Sequence, residues 1–386
     1  MLITIDGSQL PAKTDEDIQT AIVAIEKSGG YGAVLLLPGV YTISSPIKVA
    51  GNAISLIGFG SPTRLVMADL TADLFVVSGQ LFHLERCEIQ TSVTKTEGSI
   101  IDASGSQGVV KDVRLVGNFY DGFTFATSSA GTWRFDNIHV PGGVKWNRLF
   151  FLRAELMTTV GSLHINNLIV SNQVGWNDAM FVLDTGVDTV AVENSELVGI
   201  GTIIHCRNSL QGGQAPRWIH FTNCFLEAGI TSGTGIRLDA VRDFRYGGYI
   251  ASCAVGVVAG SNASEVDLSH IEFANIGQSA VKLLLGCRDV TISHNSFEDT
   301  CNAVNNTYDT ISVAAGVQFF RILANTFRRT LLKPQKLNPL KLPRYCVHIA
   351  DGASDHYKVA LNEFADFVTG DFHNGGTGGH QVVWGN

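Results

Sequence analysis

Hydrophobic positions follow a helical period in only one segment near the start of the chain. In residues 15–28 the apolar side chains lie at the i, i+3, i+4, i+7 spacing of an amphipathic helix: Ile18, Ala21, Ile22 and Ile25. Thr14 can cap the first turn, and Gly29 or Gly30 can end the helix. The pattern predicts a single short helix here.

After this helix the pattern changes to short strands. Residues 31–49, YGAVLLLPGVYTISSPIKV, predict two strands around a turn at Pro38-Gly39, and ISLIGFG at 54–60 predicts the next one. Later strands are equally short, and glycine or asparagine separates them.

A repeat of 24 residues runs through the second half of the chain. Four aromatic residues occur at this interval without a gap: Phe225, Tyr249, Phe273 and Phe297. His270 and His294 keep the same spacing, as do Ser269 and Ser293. Such regularity indicates a repeat architecture.

Looser copies extend the repeat toward the N-terminus. They begin at residues 135, 165, 192 and 221, with the strings FDNIHV, INNLIV, VENSEL and FTNCFL. Their asparagines are 30, 27 and 29 residues apart: Asn137, Asn167, Asn194 and Asn223. Asparagine tolerates the left-handed backbone conformation, so these positions are predicted to be bends.

A repeat of 24 to 30 residues that holds several short strands favours a parallel β-solenoid. Equivalent side chains of successive coils then stack at about 4.8 Å, aromatic on aromatic and asparagine on asparagine. Leucine-rich repeats are the competing solenoid, but the chain shows neither their LxxLxLxxN string nor a helix in each repeat.

The N-terminal segment resembles the beginning of pectate-lyase-like right-handed β-helix proteins. Within that family it is most similar to phage tailspikes and depolymerases. The residues that carry the resemblance are DEDIQTAIVAIEKSGGYGAVLLLPGVYTISSPIKV, followed by ISLIGFG. The resemblance implies an all-β fold, a right-handed single-stranded parallel β-helix with a short N-terminal capping α-helix. We expect the capping helix and first strands in residues 1–50, the β-helix in 51–370 and a glycine-rich tail in 371–386. The helix would cover the open apolar end of the solenoid.

Composition excludes several classes of protein. Charged residues make up 16% of the chain and the net charge is −8, with no lysine or arginine block, which argues against a nucleic-acid partner. Apolar runs are too short to span a bilayer, so no membrane insertion is expected. Seven cysteines without a CxxC pair argue against a disulfide framework or a zinc cluster. No signal peptide is visible, which predicts synthesis in a reducing cytoplasm.

Aligning the apolar strands at 150, 180, 202, 235 and 256 places Ala154, Asp184, Cys206, Asp239 and Gly260 in one column. Asp184 and Asp239 would then stand two coils apart, about 9.6 Å along the stack. Carboxylates about 6.5 to 9.5 Å apart suit inverting glycoside hydrolysis, so these two are the predicted general acid and base. Alternatively, both aspartates accept backbone N–H bonds at the turns that end their strands.

Further candidates surround this column. Residues predicted to bind the substrate are Glu155, Arg153, His205, Arg207, Arg237, Trp176 and Trp218. A second acidic group comprises Glu193, Glu196 and Glu227, for which a solvated surface is an equal explanation. His270 and His294 are predicted to stack on each other at a bend, and no metal site is expected because close ligand spacing is missing.

These features predict a phage-tailspike-like depolymerase that cuts a bacterial surface polysaccharide, capsule or O-antigen, by hydrolysis. The resemblance implies a homotrimer located in the virion tail spike, with no cofactor. A polysaccharide lyase is the first alternative: it would use an Arg, His or Lys base on a uronate and could bind calcium. A glycan-binding or structural β-helix without catalysis is the second.

Overall fold

The computed structural model describes residues 1–8, 13–104, 107–125, 131–141, 145–154, 161–171, 175–328, 341–365 and 367–384. Within these ranges the chain forms one α-helix, α1 (Asp15–Lys27), and 30 strands whose described pairings are all parallel. The described residues make about 13 turns of a parallel β-solenoid. The predicted fold class is confirmed.

The strands, numbered in chain order, are β1 Leu2–Ile5, β2 Lys13–Thr14, β3 Tyr31–Leu36, β4 Gly39–Ile43, β5 Ile47–Val49, β6 Ala53–Met67, β7 Phe75–Val77, β8 Leu81–Thr91, β9 Ser99–Ala103, β10 Gln107–Val116, β11 Asp121–Phe125, β12 Trp133–Pro141, β13 Lys145–Trp146, β14 Arg148–Leu152, β15 Leu163–Ser171, β16 Gly175–Leu183, β17 Asp188–Glu193, β18 Glu196–Val198, β19 Ile200–Cys206, β20 Arg217–Ala274, β21 Val281–Leu283, β22 Arg288–Ser293, β23 Ser296–Glu298, β24 Ile311–Val313, β25 Gln318–Leu323, β26 Thr326–Arg328, β27 Tyr345–Gly352, β28 Asp355–Ala360, β29 Gly370–Gly376 and β30 Gln381–Trp384.

The predicted N-terminal helix is confirmed as α1. Its first turn begins at Thr14, whose backbone N–H donates to the Asp17 carboxylate at 2.9 Å. The four apolar residues that set the helical period are buried: Ile18, Ala21, Ile22 and Ile25. They pack toward the neighbouring strands β3 and β5, so the helix covers apolar side chains that would otherwise be exposed.

The contacts divide the chain into two units. Unit 1 comprises Met1–Leu197 and Ser209–Gln214, and unit 2 comprises Val198–Asn208 and Ala215–Asn386.

The core of unit 1 is built from interior columns in which each coil contributes one apolar residue. One column runs through six coils: Leu56, Leu84, Val110, Phe135, Ile165 and Val192. All six are essentially inaccessible to solvent. Because side chains alternate along a strand, the residues on either side of this column point outward and can line a site.

Unit 2 contains the stacks that the 24-residue repeat predicted. Phe225 stacks on Tyr249 with ring centroids 4.9 Å apart, and Phe273 stacks on Phe297 at 4.8 Å. The rings of His270 and His294 are parallel within 6° at 5.2 Å. These predictions are confirmed.

The asparagine bends are also confirmed. Asn137, Asn167, Asn194 and Asn223 all have positive φ angles, between 50° and 57°. In unit 1 the amide of Asn167 donates to the Asn137 side-chain oxygen at 3.2 Å. All seven cysteines are buried with free thiols.

The glycine-rich end of the chain differs from the expectation of a tail. Gly370–Gly376 forms β29 and pairs with β27, and Gln381–Trp384 forms β30 and pairs with β28. Backbone hydrogen bonding therefore continues the ladder where side-chain periodicity gives no signal. The helix in the described residues is too short to cross a membrane.

Candidate functional site

Asp184, one of the two predicted catalytic carboxylates, is completely buried in unit 1. Its Oδ1 accepts hydrogen bonds from the backbone N–H of Thr185 at 2.7 Å and of Ser209 at 2.8 Å. The Ser209 hydroxyl donates to Oδ2 at 2.8 Å. These contacts match the alternative of an aspartate that organises a turn, and they leave no carboxylate surface for a glycan.

The register of the strands before Asp184 differs from the predicted alignment. Leu152 pairs with Leu183, so Arg153 rather than Ala154 comes opposite Asp184. The last three residues of both strands are apolar (FFL and FVL), and either register buries the same kind of side chain. The predicted column is wrong by one residue here because apolar identity alone does not fix the register.

In unit 2 the predicted register is also displaced by one residue, since Cys206 pairs with Leu238 instead of Asp239. The displacement brings three predicted site residues together. His205 pairs with Arg237, and both side chains contact the Asp239 carboxylate. His205 Nε2 lies 2.9 Å from Oδ2, and Arg237 Nε lies 3.0 Å from each oxygen.

The contacts in this His205–Arg237–Asp239 cluster favour an ionised aspartate. Burial opposes the charged form of Asp239, but hydrogen bonds from Arg237 and His205 outweigh that effect and hold the pKa of this carboxyl below its ordinary value. A carboxylate with a lowered pKa is a poor proton donor to a leaving group at neutral pH. These contacts favour Asp239 as an ion-paired carboxylate over Asp239 as the general acid.

The remaining predicted binding residues lie in different environments. Arg153 and Arg207 are half-buried, and Glu155 lies outside the described residues. Trp176 is 6% exposed and packs edge-on against Trp146, so it belongs to the core of unit 1. Trp218 in unit 2 is 46% exposed, and the Arg217 guanidinium lies 4.6 Å from its ring centroid.

An open groove of about 300 Å³ lies on the outer face of β12, β15 and β17 in unit 1. Two adjacent columns of outward-facing residues supply its polar side chains. In one column Asp136 pairs with Asn166, which pairs with Glu193. In the other, Arg134 pairs with His164. Acidic, basic and amide groups therefore converge on one surface.

The backbone positions of the two acidic residues of this groove have the spacing that was sought at Asp184 and Asp239. Asp136 and Glu193 occupy one column two coils apart, which corresponds to about 9.6 Å between their backbone positions. Asn166 lies between them, and its Nδ2 donates to Asp136 Oδ1 at 2.9 Å. Glutamate is one methylene longer than aspartate, so its carboxylate can approach more closely than the backbone spacing.

Three charged or titratable side chains of the groove make no internal polar contact in the described part of the chain. Among the described residues, the side chains of Arg134, His164 and Glu193 form neither an ion pair nor a hydrogen bond. All three are exposed. Charged groups that lack protein partners in a groove are available to a ligand.

Sequence reasoning named Glu193 only as part of a second acidic group and missed Asp136, His164 and Arg134. A signal for them was present. The repeat copies at 135, 165 and 192 are aligned as predicted, since Phe135 pairs with Ile165 and Ile165 with Val192. Reading the outward neighbours of that interior column would have placed Asp136 in line with Glu193.

Glu196 and Glu227, the other members of that group, are not part of the groove. Glu227 accepts a hydrogen bond from the Ser252 hydroxyl at 3.4 Å. Within the described part of the chain, the one cluster with metal-ligand spacing is Asp355, His356 and His380 in unit 2.

No protein-family model matches the sequence, and no curated protein is similar to it. Solved structures do match. The A-module of mannuronan C-5 epimerase AlgE6 from Azotobacter vinelandii has a TM-score of 0.54 and 14% identity, over 96% of this chain and 98% of that one. The catalytic domain of a GH87 α-1,3-glucanase has a TM-score of 0.54 and 11% identity, over 99% and 67%.

Tailspike protein 2 from the Escherichia coli O157:H7 bacteriophage CAB120 matches with a TM-score of 0.45 and 12% identity, over 92% of this chain and 42% of that one. This third likeness is too distant to support a conclusion about function. The first two show that the chain shares the parallel β-helix fold of polysaccharide-acting proteins.

Proposed function

We propose that the protein cleaves a polysaccharide in the groove of unit 1 by glycoside hydrolysis with inversion. The observation that carries the proposal is the column formed by Asp136, Asn166 and Glu193, with carboxylates at its two ends and an open groove above them. Inverting hydrolysis needs two carboxylates about 6.5 to 9.5 Å apart, so that a water molecule fits between one of them and the sugar.

The contacts of the two acids suggest different roles. Asn166 donates to Asp136 and fixes the orientation of its carboxylate, which suits the base that activates water. Glu193 has no such donor and is assigned as the acid that protonates the leaving oxygen. Arg134 and His164 lie in the adjacent column and can hydrogen-bond to sugar hydroxyls or to an acidic substituent.

Polysaccharide is the substrate class we propose for two reasons. Three successive coils of the solenoid form an open groove lined by carboxylate, amide, imidazole and guanidinium side chains, all of which can hydrogen-bond to sugars. The two proteins that share the fold at a TM-score of 0.54 are, by their names, a mannuronan epimerase and an α-1,3-glucanase.

The test is incubation of the purified protein with a panel of bacterial capsular and O-antigen polysaccharides, with reducing ends and ultraviolet absorbance followed together. Hydrolysis should produce reducing ends without absorbance. Glu193→Gln and Asp136→Asn should each lower kcat at least 100-fold while the protein still binds the glycan. The matched control is Glu196→Gln, which changes an exposed glutamate three residues away outside the groove and should leave kcat unchanged.

A lyase reaction is the second candidate, because His164 and Arg134 stand side by side in the same groove. His164 would remove the proton next to a uronate carboxyl, and Arg134 would bind that carboxylate. A C=C double bond would form as the glycosidic C–O bond breaks, and the leaving oxygen would take up a proton from water. Reducing ends accompanied by ultraviolet absorbance, lost in His164→Asn, would establish this chemistry and overturn hydrolysis. Loss of activity in a chelator would identify the calcium-dependent version.

The His205–Arg237–Asp239 cluster of unit 2 is proposed as a binding position, as the sequence predicted for His205 and Arg237. The side chains of Arg237 and Asp239 are 53% and 37% exposed, so a glycan can reach them. Asp239→Asn should weaken glycan binding and leave kcat at saturating substrate unchanged. A large loss of kcat would instead return the catalytic role to Asp239.

The tailspike interpretation, the homotrimer and the location in a virion tail spike remain proposals that rest on the resemblance of the N-terminal segment. Exposed apolar side chains such as Leu285 and Leu361, 65% and 72% exposed, would be covered in a trimer. Sedimentation equilibrium should give a mass three times that of the chain. A monomer that binds a glycan and leaves it intact would favour the receptor-binding alternative.

A further inference from the structure

The last coils of unit 2 bring two histidines and an aspartate together. Asp355 and His356 begin β28, and His380 immediately precedes β30. Tyr357 pairs with Gln381, so His356 and His380 occupy equivalent positions in successive coils. Their rings are stacked with centroids 4.3 Å apart and planes within 20°.

The carboxylate of Asp355 faces both imidazoles. Its Oδ2 lies 3.3 Å from His356 Nδ1 and 3.3 Å from His380 Nδ1. The three ligand atoms all lie within 4.8 Å of one another. Zinc bonds of about 2.0 to 2.1 Å in tetrahedral geometry place ligand atoms about 3.4 Å apart. The two nitrogen–oxygen distances match that edge length, and because an imidazole nitrogen bonds a metal in the plane of its ring, one of the two stacked rings rotates out of the stack when the ion binds.

The backbone fixes the aspartate in this orientation. Asp355 Oδ1 accepts the N–H of His356 at 2.8 Å and the N–H of His380 at 2.7 Å. One oxygen is therefore satisfied by the two coils and the other is directed at the imidazoles, which is how outer contacts orient a metal ligand.

Two neighbouring residues complete the cluster. Phe319 covers the side of His356 away from His380, with ring centroids 4.7 Å apart. Gly378 passes so close to Asp355 that a Cβ at this position would lie 2.3 Å from the aspartate side chain. The glycine of the HNGGTGGH segment is thus needed where the chain passes the carboxylate.

We propose that Asp355, His356 and His380 bind one divalent transition-metal ion, of which Zn²⁺ is the representative. Two imidazoles and one carboxylate are ligands that favour Zn²⁺, Ni²⁺, Co²⁺ or Cu²⁺ over Ca²⁺ and Mg²⁺, which prefer oxygen. Two of the ligands belong to the coil of β28 and the third to the coil of β30. A bound ion therefore links the terminal strand to the coil before it.

The chain offers a matched control for this site. His270 and His294 are also exposed, have positive φ angles and stack on each other at 5.2 Å. No carboxylate contacts this pair among the described residues. If two stacked imidazoles were enough to bind a metal, the control pair would bind it equally well.

The experiment uses the full chain, freed of metal with a chelator and dialysed. Isothermal titration with Zn²⁺ and metal analysis after equilibrium dialysis should show one ion per chain, with Ca²⁺ and Mg²⁺ at least 100-fold weaker. His380→Ala, His356→Asn and Asp355→Asn should each weaken binding at least 10-fold. His270→Asn and His294→Asn should bind as the parent does.

A second readout separates loss of ligand from loss of fold. Zn²⁺ should raise the melting temperature of the parent but not of His380→Ala, although both melt alike without metal. Unchanged Zn²⁺ binding in His380→Ala, or equal affinity for Ca²⁺, would overturn the proposal. These measurements do not use glycan cleavage, so they are independent of the function proposed for unit 1.

Discussion

Among single residues, Asp184 shows how burial decides between two roles of a carboxylate. Its two oxygens serve as acceptors for donors of Thr185 and Ser209, all inside unit 1. Asp184→Ala would leave the backbone N–H and the hydroxyl of Thr185, both buried, without their acceptor. Because unsatisfied buried donors cost about 1 to 3 kcal/mol each, we expect the free energy of unfolding to fall by about 3 kcal/mol or more.

Urea denaturation measures this loss, with Asp351→Asn as the control because the Asp351 side chain is 89% exposed. The control should change stability by less than about 0.5 kcal/mol. Cleavage per folded Asp184→Ala molecule should equal that of the parent. A stable but inactive variant would show that Asp184 is catalytic after all.

For single residues, the sequence predicted which side chains take part in a site better than it predicted the register in which they pair. It selected His205, Arg237 and Asp239 for one surface, and the structure brings them into contact. It also paired Asp184 with Asp239 from an alignment of apolar strands, where a shift of one residue changes no hydrophobicity. The solvent exposure of a carboxylate depends on the turn that follows its strand. The spacing of residues along the sequence does not predict that exposure.

At the scale of elements, Tyr41 on β4 joins the first coils to β1. The buried hydroxyl lies 2.9 Å from the carbonyl oxygens of both Ile5 and Leu37. Burial, with the charge of Asp6 adding to it, raises the pKa of Tyr41 to about 12. Since the folded state favours the neutral phenol, this stabilisation is complete below the ordinary pKa of 10 and is lost as the pH rises toward 12.

Tyr41→Phe should therefore lower the free energy of unfolding by about 1 kcal/mol at pH 7. It should also flatten the loss of stability between pH 10 and 12, because the variant has no buried phenol to ionise. Urea midpoints measured across that range test both points. Tyr31→Phe, at a tyrosine 62% exposed, is the control, and an identical pH profile in Tyr41→Phe and the parent would contradict the assignment.

A buried asparagine ladder holds the later coils of unit 2 together. Asn325 Oδ1 accepts the Asn295 N–H at 3.0 Å, and its Nδ2 donates to the Ile292 carbonyl at 3.0 Å. The next coil repeats the contact, since the Asn325 N–H donates to Asn362 Oδ1. Asn325→Leu would leave two buried backbone groups of the preceding coil, the Asn295 N–H and the Ile292 carbonyl, without their partners, so we expect the free energy of unfolding to fall by about 3 kcal/mol or more.

The comparison variant is Asn118→Ala, whose amide donates to the Thr94 hydroxyl at 3.1 Å on the surface. Water can replace that bond, so the expected loss is below about 1 kcal/mol. Both values come from urea unfolding monitored by circular dichroism. Similar losses in the two variants would mean that the ladder contributes no more than a surface hydrogen bond.

The sequence predicted the elements that repeat and missed those that do not. Side chains that stack on their own kind, such as Phe273 on Phe297, leave a period that can be read. Residues 370–384 form β29 and β30 through backbone hydrogen bonds, which need no particular side chain. The groove could be predicted only in part. The interior column beside it repeats from coil to coil, but the groove residues themselves differ.

For the whole molecule, the buried thiols report how a long solenoid unfolds. Cys87 lies in unit 1, and the other six cysteines lie in unit 2. Burial raises the pKa of the Cys87 and Cys253 thiols to about 12, so thiolate is scarce at neutral pH and the folded chain should not react with thiol reagents. Each coil of a solenoid depends on its neighbours, so partial unfolding is expected within about 13 turns.

The test is pulse labelling with a thiol reagent at increasing urea concentrations, followed by mass spectrometry. We expect partly labelled chains, in which some but not all of the seven cysteines have reacted, at intermediate urea concentrations. Labelled peptides would show which unit opened first. The Asn325→Leu variant should release the cysteines of unit 2 at lower urea while Cys87 keeps its parent midpoint, because its defect lies in unit 2. If only unlabelled and fully labelled chains occur at every concentration, the molecule unfolds in one cooperative step and the nearest-neighbour account is wrong.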